Sequence, residues 1–424
     1  MIIIRMDSAA TRTAGEAAPG VPPLPLGGYR WVILGVGTGA QVAFATINQS
    51  LPSISPQLRA HFGLNLETVG VTFSAVLLGQ TLTQLAWGFA VDRLGDRLTM
   101  AAGLAGSLVT LTAAALAPGF GAFLLLMVAT GMFGASINVA SARAVSGWFA
   151  FHERGFALGV RQSALPLGGA LGSVLLPVLA ISHGVRPALL AIVGLLAVSL
   201  LAVLRWLREP AIDRSVRSGV TLRGLAADPR LLRLTAASSF LVLAQFGFGA
   251  FTVLYLHDAK QVSSGVAAGV LVVMQLGGAV ARIAAGRWSD RAGQRIGPMR
   301  RAALGVALAA LLATWLTTLP APVAGLSLVV AGILAFSWNG LALAAAVELA
   351  GTSRSGFAVG YLNTALGLAA AVASPMFAVV VVHSTWQVGF AMLAGCGLLS
   401  HLLLRGLRVP TGQAPLDAGG SPNL

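Results

Sequence analysis

The sequence predicts an all-α integral membrane protein of twelve transmembrane helices in two six-helix bundles. Three observations carry that expectation. Of 424 residues, 56% are hydrophobic and 9% charged, with a mean hydropathy of +0.84. A soluble domain carries about 25% charged residues, so too little polar surface exists here to cover a water-facing globule. The basic residues gather in alternate connections between apolar runs. A ten-residue pattern, G-x-x-x-D-R-x-G-x-R, occurs at Gly88–Arg97 and again 198 residues later at Gly286–Arg295. A repeat on that scale points to a duplicated membrane unit.

The spans expected in order are about 30–51, 66–90, 98–117, 121–147, 155–181, 186–206, 231–256, 264–288, 300–319, 323–347, 356–381 and 386–405. Each run is close to the roughly 20 apolar residues that cross a hydrocarbon core as a helix. The runs lack the alternation of a barrel strand, and backbone groups in lipid must be satisfied within the segment, so helices are expected. A second pattern repeats at a similar offset. Arg154-Gly155-Phe156-Ala157 and Gln162-Ser163-Ala164-Leu165 match Ser355-Gly356-Phe357-Ala358 and Asn363-Thr364-Ala365-Leu366 at 201 residues.

The 27 basic residues are 26 arginines and Lys260. The link after span 2 carries Arg93 and Arg97. That after span 6 carries Arg205, Arg208, Arg214, Arg217, Arg223, Arg230 and Arg233 against Glu209, Asp213 and Asp228. That after span 8 carries Arg287, Arg291, Arg295, Arg300 and Arg301. The opposite face offers Arg59, Arg186 and Lys260. The bias places both termini on the cytoplasmic side. The organisation expected is a tail over 1–29, a six-helix bundle over 30–206, a cytoplasmic linker over 207–230, a second bundle over 231–405 and a tail over 406–424. Trp31, Trp148, Trp206 and Trp386 fall at span ends, where indole prefers the headgroup layer.

The net charge of +14 would suggest nucleic acid in a soluble chain, but here it reflects topology, and no nucleic-acid partner is expected. Cys396 is the single cysteine and the six histidines are scattered, so neither an intrachain disulfide nor a metal site is expected. No cofactor, catalytic dyad or phosphate-binding loop is read, so the chain is not expected to be an enzyme. Alanine and arginine richness suggests a GC-rich bacterial genome and an inner membrane.

The repeated motif makes physical sense as a gate. Gly88 and Gly286 would permit close helix approach, and Gly95 and Gly293 a sharp turn. Asp92 and Asp290 would pair with arginine or with a positive helix N-terminus on the opposing bundle. These residues, with twelve spans and a long middle link, resemble the major facilitator superfamily over residues 30 to 405. The resemblance implies two bundles rocking around a central site by alternating access. Trp148-Phe149 followed by Glu153-Arg154-Gly155 is similar to the fifth-helix entrance in anion and organic-acid branches of that superfamily. Two departures stand against drug–proton antiport. Met127 precedes Gly131 and Gly134 where the family often has an arginine, and Leu165-Pro166-Leu167-Gly168-Gly169 is an incomplete antiporter motif.

Arg143, Arg161 and Arg282 lie inside spans, where a cation costs about 2.5–3.5 kcal/mol on insertion scales. Arg143 is expected to brace Asp92 or Glu153 at the inner gate, and Glu348 to pair there near Arg354. Arg161 and Arg282 are candidate substrate ligands, although Arg282 would equally brace the Asp290 cluster. Gln162 and Asn363 occupy matching repeat positions. With Asn138, Gln245, Trp338 and Asn339 they complete the candidate binding set, each also open to a helix-packing role. The remaining gate candidates are Arg93, Arg97, Arg291 and Arg295.

Positive charge without a carboxylate at any helix centre favours an anionic ligand. The function read is transport of a small organic or inorganic anion, such as a carboxylate, by a single chain in a lipid bilayer, secondary active or facilitative. The alternative is efflux of a hydrophobic drug or metabolite. A membrane sensor built on the same bundle is a more distant reading.

Overall fold

The computed structural model describes residues 28–64, 66–209, 222–351 and 354–409. Nearly all of them are helical. The first half comprises α1 (Tyr29–Ser50), the short α2 (Ser55–Phe62), α3 (Leu66–Leu94), α4 (Asp96–Ala115), α5 (Phe120–Trp148), α6 (Phe151–Gln162), α7 (Ala164–His183) and α8 (Val185–Trp206). After a single turn, α9 (Leu222–Ala226), the second half comprises α10 (Pro229–Leu254), α11 (Ser264–Arg291), α12 (Ile296–Leu316), α13 (Ala321–Phe336), α14 (Asn339–Ala350), α15 (Ser355–His383) and α16 (Trp386–Leu403). Most of the tails expected over 1–29 and 406–424 lies outside the described residues. So does the middle of the linker, with Asp213, Arg214 and Arg217.

Eleven helical segments are long and apolar enough to cross a membrane by length and composition. The second expected span, α3, has 29 residues but is diluted by Gln80, Thr81, Thr83 and Gln84. Gln80, Thr81 and Gln84 are buried against other helices, so the polarity faces protein and not lipid. The outward surface is instead built of Leu125, Ile181, Val280, Leu326 and Val382. Small residues bring the helices together: a Cβ on Gly79 or Gly131 would collide with backbone of the facing helix, α5 or α3.

Two expected spans are split. Span 5 becomes α6 and α7, hinged at Ser163. Pro166 has no N–H, so the Gln162 carbonyl four residues earlier has no ladder donor there. Span 10 becomes α13 and α14, broken at Ser337-Trp338, where Ser337 Oγ donates back to the Leu334 carbonyl at 2.7 Å. Trp148 also departs from its expected headgroup position: it is buried, its Nε1 donating to Arg208 O at 3.0 Å.

The linker's described end is tightly capped. Asp228 precedes Pro229 and accepts the Arg230 backbone N–H at 2.8 Å. The Arg230 guanidinium also donates to its carboxylate, holding it below the usual carboxylate range.

The halves meet along two related seams. One joins α3 to α15, the other joins α11 to α6, with α14 also against α6. A Cβ on Gly88 would stand 2.7 Å from Gly356 O, and one on Gly155 would stand 2.7 Å from Gly286 O. Gly88 and Gly286 are repeat mates, as are Gly155 and Gly356. The two seams therefore use the same residues in exchanged roles.

Candidate functional site

At the arginine-rich end, each motif aspartate reaches into the other half. Asp92 accepts the N–H of Gly356 at 3.0 Å and of Phe357 at 2.9 Å. These are first-turn donors of α15, which lack partners within the helix and carry its positive dipole end. Arg354 is the N-cap residue of that helix. Behind Asp92 lies Arg143, with Nε 3.4 Å from Asp92 and Nη1 donating to Asp96 at 2.7 Å. Asp96, fully buried, is a partner the sequence reading did not assign, although it lies inside the repeated motif. Gly95 and Gly293 hold φ of +90° and +60°, a region that strains a residue with a Cβ.

The second seam is more elaborate. Asp290 accepts Gly155 N–H at 2.9 Å and Phe156 N–H at 2.7 Å. Arg295 binds Asp290 at 2.5 Å and donates to the Phe151 carbonyl. Asp290 and Arg295 thus bond as a pair to backbone groups at the start of α6, the Gly155 N–H and the Phe151 carbonyl. Arg295 also donates to Glu348 at 2.8 Å, and Arg154 of the first half stands 3.7 Å from the same carboxylate. Glu348 thus pairs with Arg295 and Arg154, not with its sequence neighbour Arg354.

Four other gate candidates lie outside these two contacts. Glu153 binds Arg30 at 2.6 Å, inside its own half and away from Arg143. Arg97 donates its backbone N–H to Glu209 at 2.9 Å and its guanidinium to Leu204 O, both within the first half. Arg93 and Arg291 are exposed; Arg291 lines a cleft of about 410 Å³ with Trp31, Glu153, Arg287 and Asp290.

Deeper along the same axis, a cavity of about 660 Å³ lies between the halves. Its walls come from α7, α10 and α11, largely apolar, with Gln49, Gln245 and Gln275 as amides and Arg282 as the one charged lining residue. Arg282 is 2% exposed. Its Nε donates to Phe336 O at 2.8 Å and its Nη1 to Gln162 O at 2.7 Å. Both acceptors are carbonyls released by helix breaks, one at each split span. Arg282 therefore does not brace Asp290.

Arg161, 0% exposed, sits behind this floor and does not line the cavity. It donates to Ser141 Oγ at 2.8 Å, to Gln162 Oε1 at 2.7 Å, and to the carbonyl and side-chain oxygens of Asn138. Both cations rest on neutral oxygens, which stabilise a guanidinium less than a carboxylate does. Gln162 joins them, with Arg161 on its side chain and Arg282 on its backbone.

Of the eight candidate binding residues, Arg282 and Gln245 line the cavity. Asn138 and Gln162 are turned to Arg161. Trp338 and Asn339 are buried at the α13–α14 break, with Trp338 Nε1 and Asn339 Oδ1 lacking a hydrogen-bond partner. Asn363 lies on α15 by the other seam, its Nδ2 also unpartnered. Phe336, Phe246 and Gln49 were missed. Nothing in their sequence neighbourhood distinguishes them from helix-packing residues. Pro166 carried a usable signal, a proline four residues after an amide in an apolar span. Among the described residues no group of three or more His, Cys, Asp and Glu is placed to hold a metal ion.

Comparison with known proteins agrees with this architecture. The family model described as Major Facilitator Superfamily matches residues 36–374. An uncharacterized MFS-type transporter of Mycobacterium tuberculosis is 32% identical over 383 residues, spanning 88% of this chain and 83% of the relative. A multidrug resistance protein of Enterobacter lignolyticus is 26% identical over 67% of each chain. Among solved structures, the human organic anion transporter TETRAN superposes with a TM-score of 0.74 at 22% identity, covering 89% of this chain and 100% of the other. The Escherichia coli fucose:proton symporter does so with 0.74 at 13%, covering 89% and 98%. Identities that low establish a shared fold alone.

Proposed function

Because the chain belongs to the Major Facilitator Superfamily of membrane transporters, we propose that it carries a small organic or inorganic anion, such as a carboxylate, by alternating access. The observation that carries this reading is Arg282, a buried cation on the cavity floor whose bonds go to two carbonyls. A guanidinium in that setting binds an oxyanion more strongly than the neutral oxygens it now holds. Arg161 adds a second positive charge one residue from the shared Gln162. Asp92, Asp290, Arg143, Arg295 and Glu348 act as the gate on the arginine-rich side, which the positive-inside bias assigns to the cytoplasm of a bacterial inner membrane. Both ends of the chain then lie inside.

Inward movement of an anion opposes an inside-negative potential by about 2.3 kcal/mol per charge per 100 mV. Concentrative uptake would need a cation moving with it, whereas exchange or export would not. A second reading, efflux of a hydrophobic drug or metabolite, is favoured by the apolar wall of Leu165, Val174, Phe246, Leu271 and Leu276. The multidrug resistance relative points the same way.

Uptake into proteoliposomes tests both. A panel of labelled carboxylates, inorganic anions, cations and neutral apolar compounds is followed with and without a pH gradient and a valinomycin-set potential. Saturable flux of an anion, lost in Arg282→Ala, is expected. Flux of cations or neutral compounds alone would overturn the anion reading.

A further inference from the structure

Arg282 does more in this arrangement than line a cavity. It stands on α11 in the second half, and its Nη1 donates to Gln162 O in the first half at 2.7 Å. A hydrogen bond to a charged donor contributes about 1.5–3 kcal/mol, enough to bias a two-state equilibrium about tenfold or more. The acceptor exists for this bond because Pro166 cannot supply the N–H that would otherwise occupy Gln162 O. Just below, a Cβ on Gly159 would stand 2.6 Å from Arg282 O, so the same turn of α11 is seated on α6.

The other seam lacks this device. The repeat mate of Arg282 is Gln84, and a Cβ on Gly360 would stand 2.6 Å from Gln84 O, so the backbone seating is reproduced. The side chain is not: Gln84 Oε1 is buried without a partner. The residue matching Pro166 is Gly367, inside the unbroken α15, whose N–H can serve the Asn363 carbonyl. A duplicated scaffold has therefore acquired a cation and a freed carbonyl on one seam only, at the floor of the cavity.

Resting on the anion reading above, we propose that Arg282 is a latch released by its cargo: an organic carboxylate entering the cavity takes the guanidinium from Gln162 O and Phe336 O and so uncouples the halves on the side closed in this structure. The carboxylate wins because both of its oxygens are charged acceptors matched to the guanidinium fork, while each carbonyl offers one neutral oxygen. The apolar walls suit a cargo with an apolar body. The bond broken lies between the two halves, so occupancy and opening are coupled through one side chain.

The experiment measures the distance between spin labels on the full chain in nanodiscs. Labels are placed at Leu98→Cys and Leu232→Cys, exposed positions near the arginine-rich end of each half, in a Cys396→Ala background. Benzoate is the probe and neutral benzamide its control. Benzoate should add a longer distance to the wild type and benzamide should not. Arg282→Gln should show the longer distance with nothing added, its closed-to-open ratio falling about tenfold or more. Pro166→Ala restores a donor to Gln162 O while keeping the cation. It should shift the same way without ligand and still respond to benzoate, which a residue that only bound cargo would not predict. If benzoate moves the wild type while neither variant shifts unliganded, the latch is overturned and the anion reading stands. If both variants shift but the wild type ignores benzoate and the liposome panel finds no anion flux, the anion reading falls, and with it the cargo-driven release.

Discussion

Asp92 on α3 accepts the backbone N–H of Gly356 on α15 at 3.0 Å, although 264 residues separate them. Its repeat mate Asp290 does the same to Gly155 at 2.9 Å. Each half closes on the other through a carboxylate set against a helix start, and the charge of that carboxylate matters to the bond.

Asp92→Asn keeps the shape and removes the charge. The two amide bonds then become neutral, or one is lost to an amide N–H facing backbone N–H. We expect the closed form to lose about 1.5–3 kcal/mol. Flux measurements in proteoliposomes should show maximal rate falling more than apparent affinity. Unchanged maximal rate would remove Asp92 from the gate.

Glu348 and Glu153 offer a contrast between a buried and a more exposed ion pair. Glu348, 3% exposed, neutralises the fully buried Arg295 at 2.8 Å, while Glu153 and Arg30 remain partly solvated. Breaking a buried pair from one side costs about 3–5 kcal/mol, whereas a surface pair contributes about 0–1. Glu348→Gln should therefore lower the thermal stability of the purified protein clearly, and Glu153→Gln hardly at all. Equal effects would contradict the arrangement around Arg295.

Arg161→Met removes the donor that four oxygens share. Gln162 Oε1 and Asn138 Oδ1 are left in the interior without it, at about 1–3 kcal/mol for each group left unsatisfied. We expect a lower melting temperature and a lower maximal flux with little change in apparent affinity, since Arg161 does not line the cavity. A purely affinity-based loss would place Arg161 in contact with cargo instead.

Gly286→Ala puts a methyl group into the Gly155 backbone, which cannot yield as a flexible side chain does. Gly121→Ala meets nothing within 4 Å. In spin-label distance measurements the first should hold the arginine-rich side apart, and the second should match the wild type. Closure undisturbed in Gly286→Ala would show that the seam has slack.

The fold was legible in the chain because lipid imposes a one-dimensional rule. A segment whose backbone must satisfy itself, and whose surface meets hydrocarbon, declares its length, its apolarity and the side its arginines face. The duplicated motif announced two related halves, and the glycines and aspartates within it announced close approach and a charged contact. α3 is less apolar than its neighbours because its polar residues are turned to other helices, Gln80 to Asn48 of α1, Thr83 to α5 and Thr81 to α15.

Partner choice was decided in three dimensions. Nothing local tells Glu348 to prefer Arg154 and Arg295 over Arg354, turns Glu153 to Arg30, or hides Arg161 behind the floor that Arg282 occupies. Those outcomes depend on which helix faces which across the seams, at separations of more than a hundred residues for most of these pairs. A buried cation takes whichever oxygens the packing leaves unsatisfied, and helix breaks at Gln162 and Phe336 supplied them. Sequence determined that positive charge would lie within the spans; tertiary packing determined that one such charge would bind the two halves together.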